Sequence, residues 1–200
     1  RRQRQMCIRD SHSTLLHLHR DILEPFPADA AFQNKDTPMI NEQDKKHLAR
    51  CVALAKQALD SGDEPFGSIL VSGDGKVLFE DHNHVAGGDH TQHPEFEIAR
   101  WAANHVPASE RAACVVYTSG EHCPMCSAAH GWVGLGRIVY ASSSAQYSAW
   151  MREWGVPASR VRPLAISEVV DGIDVDGPVA EFAEQVRLLH QQNVQKRTGT

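Results

Sequence analysis

No apolar run in this sequence approaches the roughly 18 consecutive positions of a membrane-spanning helix, so such a span is excluded. Excess positive charge is missing as well. Twenty Lys+Arg stand against 25 Asp+Glu, a formal net charge of −5. Residues 39–200 are more acidic still, with 14 basic and 20 acidic side chains. That balance argues against a chain held to nucleic acid mainly by charge. Cysteine is scarce and poorly spaced for a disulfide framework: there are five, and only Cys123 and Cys126 are close together. Cys51 and Cys114 lie in apolar runs and read as buried thiols. A reducing, cytoplasmic compartment is therefore expected. The basic start Arg1-Arg2-Gln3-Arg4 is followed by no apolar stretch, so it does not read as a secretory signal. What remains is ordinary for a globule: 42% hydrophobic and 22% charged residues. Two hundred residues make one domain, or one domain with an appendage.

The appendage is expected at residues 1–38, a leader or non-native extension rich in Arg, His and Pro. Its His12, His17 and His19 read as a solvated cluster. The domain proper is expected over residues 39–200. Asn41 is a plausible cap for a helix running to Ser61-Gly62, with Leu48, Val52, Leu54, Ala55, Ala58 and Leu59 at helical spacing. Phe66–Val71 and Lys76–Asp81 read as a hairpin about Ser72-Gly73-Asp74-Gly75. Helices are expected at Pro94–His105, Pro124–Val133, Gln146–Trp154 and Pro178–Gln192. Strands are expected at Ala113–Thr118, Arg137–Ala141 and, near an edge because of Pro163, Val161–Ile166. Strand–helix–strand units late in the chain imply a partly parallel sheet. The fold class is thus α/β: a three-layer α/β/α sandwich around a mixed sheet of about five strands.

The chemistry concentrates at Cys123-Pro124-Met125-Cys126, on a strand-to-helix junction. Two thiolates three residues apart can grip one tetrahedral cation, and zinc is the common choice. Alone, the pair could equally be redox-active or half of a structural site. His93-Pro94-Glu95 stands at the start of another helix. It adds a third ligand, His93, and a carboxylate two residues from it. No fourth Cys or His occupies an obvious position in the sequence, which leaves a vertex for water, as catalytic zinc requires. Glu95 is then placed to carry a proton.

The order His-x-Glu followed by Cys-x-x-Cys is that of zinc nucleobase deaminases. The sequence resembles the cytidine/deoxycytidylate deaminase-like superfamily, and within it the branch of guanine deaminases and tRNA adenosine deaminases. The likeness is carried by Pro65–Val71, His82–Val85, Asp89–Glu95, Thr118–Cys126 and the Arg137–Tyr140 strand. It covers roughly residues 42–192. Two positions depart from the family pattern: Pro94 replaces a small residue, and His122 replaces a proline.

The resemblance implies hydrolytic deamination of an aminated heterocycle, with zinc on His93, Cys123 and Cys126 and Glu95 as proton carrier. It gives Asn83 a hydrogen bond to the ring. Phe66 lies along the ring or in the core, His122 is a proton carrier or substrate contact, and Gln146 stands where relatives vary with substrate. Glu97 points away from Glu95 and reads as a surface residue. Tyr147, Trp150 and Trp154 read as half-buried packing, and Phe182 as a core anchor. The expected partner is a small heterocyclic substrate, guanine-like rather than a tRNA. A homodimer is expected by resemblance, and exposed Trp132 and Val133 are compatible with it. A zinc-pinned interaction module without catalysis is the reading of another class.

Overall fold

The computed structural model describes residues 40–199. The leader expected at residues 1–38, with its three histidines, lies outside them.

The first helix, α1 (Glu42–Asp60), starts where its cap requires. The Asn41 side chain accepts from the Gln43 and Asp44 N–H groups, and Asp44 accepts from the Asn41 N–H in return. The hairpin follows as β1 (Gly67–Val71) and β2 (Val77–His82). Helix α2 (Pro94–His105) and the single turn α3 (Ala108–Arg111) lead into β3 (Val115–Gly120). Then come α4 (Pro124–Val133), β4 (Ile138–Ser142), α5 (Ser144–Glu153), β5 (Val175–Asp176) and α6 (Ala180–Thr198). Both α2 and α4 start on proline, whose missing N–H costs nothing in a first turn.

The strands order as β2-β1-β3-β4-β5. The β1/β2 and β1/β3 pairs are antiparallel, while β3/β4 and β4/β5 are parallel. The sheet is therefore mixed and five-stranded. Its fifth strand is not the expected one. Residues 161–165 form no strand, and the edge is instead the two-residue β5. Pro163 has no N–H for a ladder, and Val161 is exposed, so this stretch has little to gain from the sheet. Helix α6 also runs six residues past its expected end at Gln192. Lys196 explains part of this: its Nζ donates to the Leu59 carbonyl near the end of α1.

Alternation along the strands sorts the core into two layers. Ile69, Val71, Tyr117, Val139 and Ala141 meet Leu48, Cys51 and Leu54 of α1, Trp150 of α5, and Phe182 and Val186 of α6. Leu70 and Val116 meet Ile98, Ala99 and Ala102 of α2. The three-layer arrangement follows. Gly67 has a packing reason: a Cβ there would fall 2.4 Å from the Leu54 Cβ and 2.6 Å from the Ala55 nitrogen. Helix α1 can lie this close to β1 only against a bare backbone. Cys51 and Cys114 are buried free thiols, as their surroundings suggested.

A charged group ties the two ends of this layer together. Arg137 grips Asp44 through two nitrogens, at 2.9 and 3.2 Å, and Asp176 at 2.6 Å. The Tyr117 hydroxyl donates to Asp44 at 2.7 Å. Burial pushes the Asp44 carboxyl up, but the Arg137, Asn41 and Tyr117 hydrogen bonds outweigh it and hold the group below the usual carboxylate range. A depressed carboxylate contributes stability that is fully present above its unfolded pKa of about 4 and is lost as pH falls through the folded value. Asp44→Asn is therefore expected to cost about 3 kcal/mol at neutral pH, the low end for a broken buried pair because Asp176 still covers Arg137. It should also flatten the acid limb of stability. Urea midpoints measured from neutral pH downward test this; parallel wild-type and variant curves would refute it.

Candidate metal centre and active site

The N-termini of α2 and α4 meet beside the end of β3. His93 is the cap residue of α2 and Cys123 that of α4, with Cys126 in the first turn of α4. Their ligand atoms converge. The two sulfurs lie 3.5 Å apart, and each is 3.7 Å from His93 Nδ1. Tetrahedral zinc with ordinary bond lengths would space two thiolates by about 3.8 Å and a thiolate and imidazole by about 3.6 Å. The observed triangle fits. Among the described residues these three are the group of possible metal ligands packed this closely.

Their electrostatics suit a cation. The contact with Cys126 lowers the Cys123 thiol to about 4, with help from His93 and against burial. The same cluster raises the His93 imidazole to about 9, chiefly through Cys123. The Cys126 thiol is pushed up by its contact with Cys123 and by burial. Two helix N-termini add partial positive charge, which also favours thiolate.

Glu95 stands alongside without joining the set. It is 5% exposed, and its Oε2 is 4.0 Å from the Cys126 sulfur. Its Oε1 lies 2.8 Å from both the Ser68 and Thr118 hydroxyls, which sit side by side on β1 and β3. One oxygen is thus anchored and the other faces the metal-binding triangle. Burial raises the carboxyl pKa, partly offset by His93 and the hydroxyls. Ser68 and Thr118 were not among the site residues expected from sequence. The available signal was a hydroxyl in each of two apolar strand runs, Ser68 in β1 and Thr118, between Tyr117 and Ser119, in β3.

Asn83 is fully buried after β2. Its N–H donates to the Phe66 carbonyl at 3.0 Å, and its Oδ1 accepts from Val85. Its Nδ2 is buried with no hydrogen-bond partner among the described residues. A buried donor left unpaired costs about 1–3 kcal/mol, which a ligand acceptor would recover. The Phe66 ring lies against Gly120, where a Cβ would fall 2.9 Å from Cε1.

Of the other two expected contacts, His122 has both ring nitrogens buried with no hydrogen-bond partner among the described residues. The His122 ring is buried against His130, with ring centroids 5.3 Å apart, and burial drives its pKa well down. The Gln146 carbonyl oxygen accepts from the Ser143 N–H and closes the capping box of α5. Glu97 pairs with Arg100 on the outer side of α2. No helix among the described residues is long and apolar enough to cross a membrane.

Comparison with known proteins agrees with this geometry. A model of the cytidine and deoxycytidylate deaminase zinc-binding region matches residues 41–142. The chain is 35% identical over 105 residues to a probable cytosine deaminase of Schizosaccharomyces pombe, covering 52% of this chain and 64% of that protein. It is 36% identical over 97 residues to a guanine deaminase of Bacillus subtilis, covering 48% and 62%. These matches span less than two thirds of either relative. A solved guanine deaminase of Nitrosomonas europaea superposes over 74% of this chain and 82% of its own, with a TM-score of 0.56 at 18% identity, so it shares the fold. With the family match covering half the chain and both halves of the zinc-ligand set in place, this chain belongs to the cytidine and deoxycytidylate deaminase family.

Proposed function

We propose that the chain deaminates a small amino-substituted heterocycle by hydrolysis, a guanine-like ring in preference to others. One observation carries the reading: a buried carboxyl, Glu95, has one oxygen anchored and the other aimed beside three metal-ligating atoms it does not join. A structural zinc site has no use for such a group.

Zinc on His93, Cys123 and Cys126 would supply a nucleophilic hydroxide near neutral pH by acidifying water. Glu95 takes up a proton at Oε2 and returns it to the departing amine. Burial raises this carboxyl above the usual range, so it holds a proton more readily than an exposed one. Ser68 and Thr118 keep Oε1 in place, so the carboxyl need not reorganise between the two transfers. Asn83 Nδ2 donates to an acceptor on the ring, and Phe66 covers a ring face. The likeness to guanine and cytosine deaminases supports a free-standing ring as substrate. The six-charge acidic excess over residues 39–200 counts against tRNA. A homodimer through α4 is part of the proposal, because Trp132 is 90% exposed there.

Ammonia release by the zinc-loaded chain, measured across guanine, adenine, cytosine, their nucleosides and aminotriazines, tests the reading. Turnover of one or more rings, guanine foremost, is the expected result. Stoichiometric zinc with no ammonia from any of them would overturn it in favour of a zinc-stabilised interaction module.

A further inference from the structure

One carboxylate near the site is used neither by the core nor by the proton path. Glu64 lies in the segment between α1 and β1, and that segment is tied at two points to the loop carrying Asn83. Asp63 Oδ1 accepts from the Ala86 N–H at 2.6 Å, and the Phe66 carbonyl accepts from the Asn83 N–H at 3.0 Å. Glu64 stands between these anchors. Its Oε1 accepts from Arg197 Nη1 at 3.0 Å, from the last turn of α6. Its Oε2 has no partner among the described residues. The side chain is 26% exposed, so it sits at a rim, whereas Glu95 and Asn83 are buried. Its charge contributes to raising the Tyr147 hydroxyl, after burial. Tyr147 in turn packs on Phe66, with centroids 5.7 Å apart. The carboxylate therefore stands at the rim between the segment that carries Phe66 and the loop that carries Asn83.

An aminated ring must turn its amine-bearing carbon inward, toward Glu95 and the metal ligands. In adenine and cytosine the far edge then carries the ring nitrogen that bears the sugar in a nucleoside, and in guanine that nitrogen lies toward the same outer side. In a free base this nitrogen can present an N–H; in a nucleoside it holds a carbon. A carboxylate only accepts hydrogen bonds, so it rewards the first and gains nothing from the second.

We propose that Glu64 is a specificity-determining residue that selects free bases over nucleosides by accepting a ring N–H at its unpaired oxygen, with Arg197 as the residue that positions it. The inference rests on the deaminase reading and sharpens its substrate class.

The test compares guanine with guanosine, and cytosine with cytidine. The wild-type chain is expected to favour the base. Glu64→Ala should lower kcat/KM for the base by about 10- to 100-fold, with the loss in KM rather than kcat, and narrow the base-to-nucleoside ratio by the same factor. Arg197→Ala should raise KM for the base several-fold, and Arg197→Lys should restore most of it. An unchanged ratio in Glu64→Ala, or a wild-type preference for the nucleoside, would overturn the inference. Calorimetric binding of the same pairs to zinc-loaded Glu95→Gln reads the ratio without turnover. Base-selective binding that is lost on adding Glu64→Ala supports the inference even if the chain proves catalytically silent, in which case only the deaminase reading falls.

Discussion

Glu95→Gln is expected to release ammonia about 10³-fold more slowly than the wild-type chain, while folding and holding zinc as before. The substitution isolates the proton. Glutamine has the same shape, and its amide oxygen can still receive the Ser68 and Thr118 hydroxyls that anchor Oε1. The nitrogen then takes the place of Oε2 near the Cys126 sulfur, where it has no lone pair to accept a proton. Removing a buried, raised carboxyl should not weaken the fold, because its charged form is the disfavoured one there. Ammonia release and bound zinc, measured on the same preparation, separate this outcome from misfolding. Turnover within a few-fold of wild type, with zinc intact, would show that the proton travels by another route.

The second large effect lies in the metal set. Cys126→Ala is expected to lower zinc affinity by more than about 100-fold, beyond what the loss of an outer hydrogen bond to a ligand costs. It should also abolish the gain in thermal stability that zinc gives the wild-type chain. Zinc that binds the folded state alone contributes about 4 kcal/mol at a thousandfold excess over Kd. For this protein that gain has a clear structural origin. Without a cation, the first turns of α2 and α4 bring two sulfurs and an imidazole within 3.7 Å in a site where Cys126 is fully buried. Melting curves with zinc and with chelator should differ for the wild type and coincide for the variant. A variant that keeps stoichiometric zinc and the full metal-dependent shift would remove Cys126 from the ligand set.

Much of this site was legible because its parts are local. His93 and Glu95 are two residues apart, Cys123 and Cys126 are three apart, and Pro94 and Pro124 mark both helix starts. The hairpin and the spans of α2 and α4 were legible for the same reason: turn residues and caps act within a few positions. Gln146 shows the limit. Its place in the chain matched a variable substrate-contact stretch, yet its amide was equally suited to capping α5, and the cap is what formed. His122 shows it again. A position beside Cys123 does not fix the direction of the ring, which packs against His130 with both nitrogens unpartnered among the described residues. Strand β5 and the far end of α6 depended on neighbours. A two-residue edge strand has no periodicity to read, and the last turns of α6 hold to Leu59 and Glu64, more than 130 positions away.

The order of helices and strands, the ligand types and their pairing in short motifs were set by residues acting on near neighbours, where spacing and side-chain chemistry suffice. Whether imidazole and thiolates share one centre, which hydroxyls steady Glu95, and that Arg197 of α6 reaches back to Glu64 were decided only when the sheet formed and the helices packed on it. Those relations join residues 23 to 133 positions apart, and their energy comes from burial across the whole sheet, which no local pattern carries.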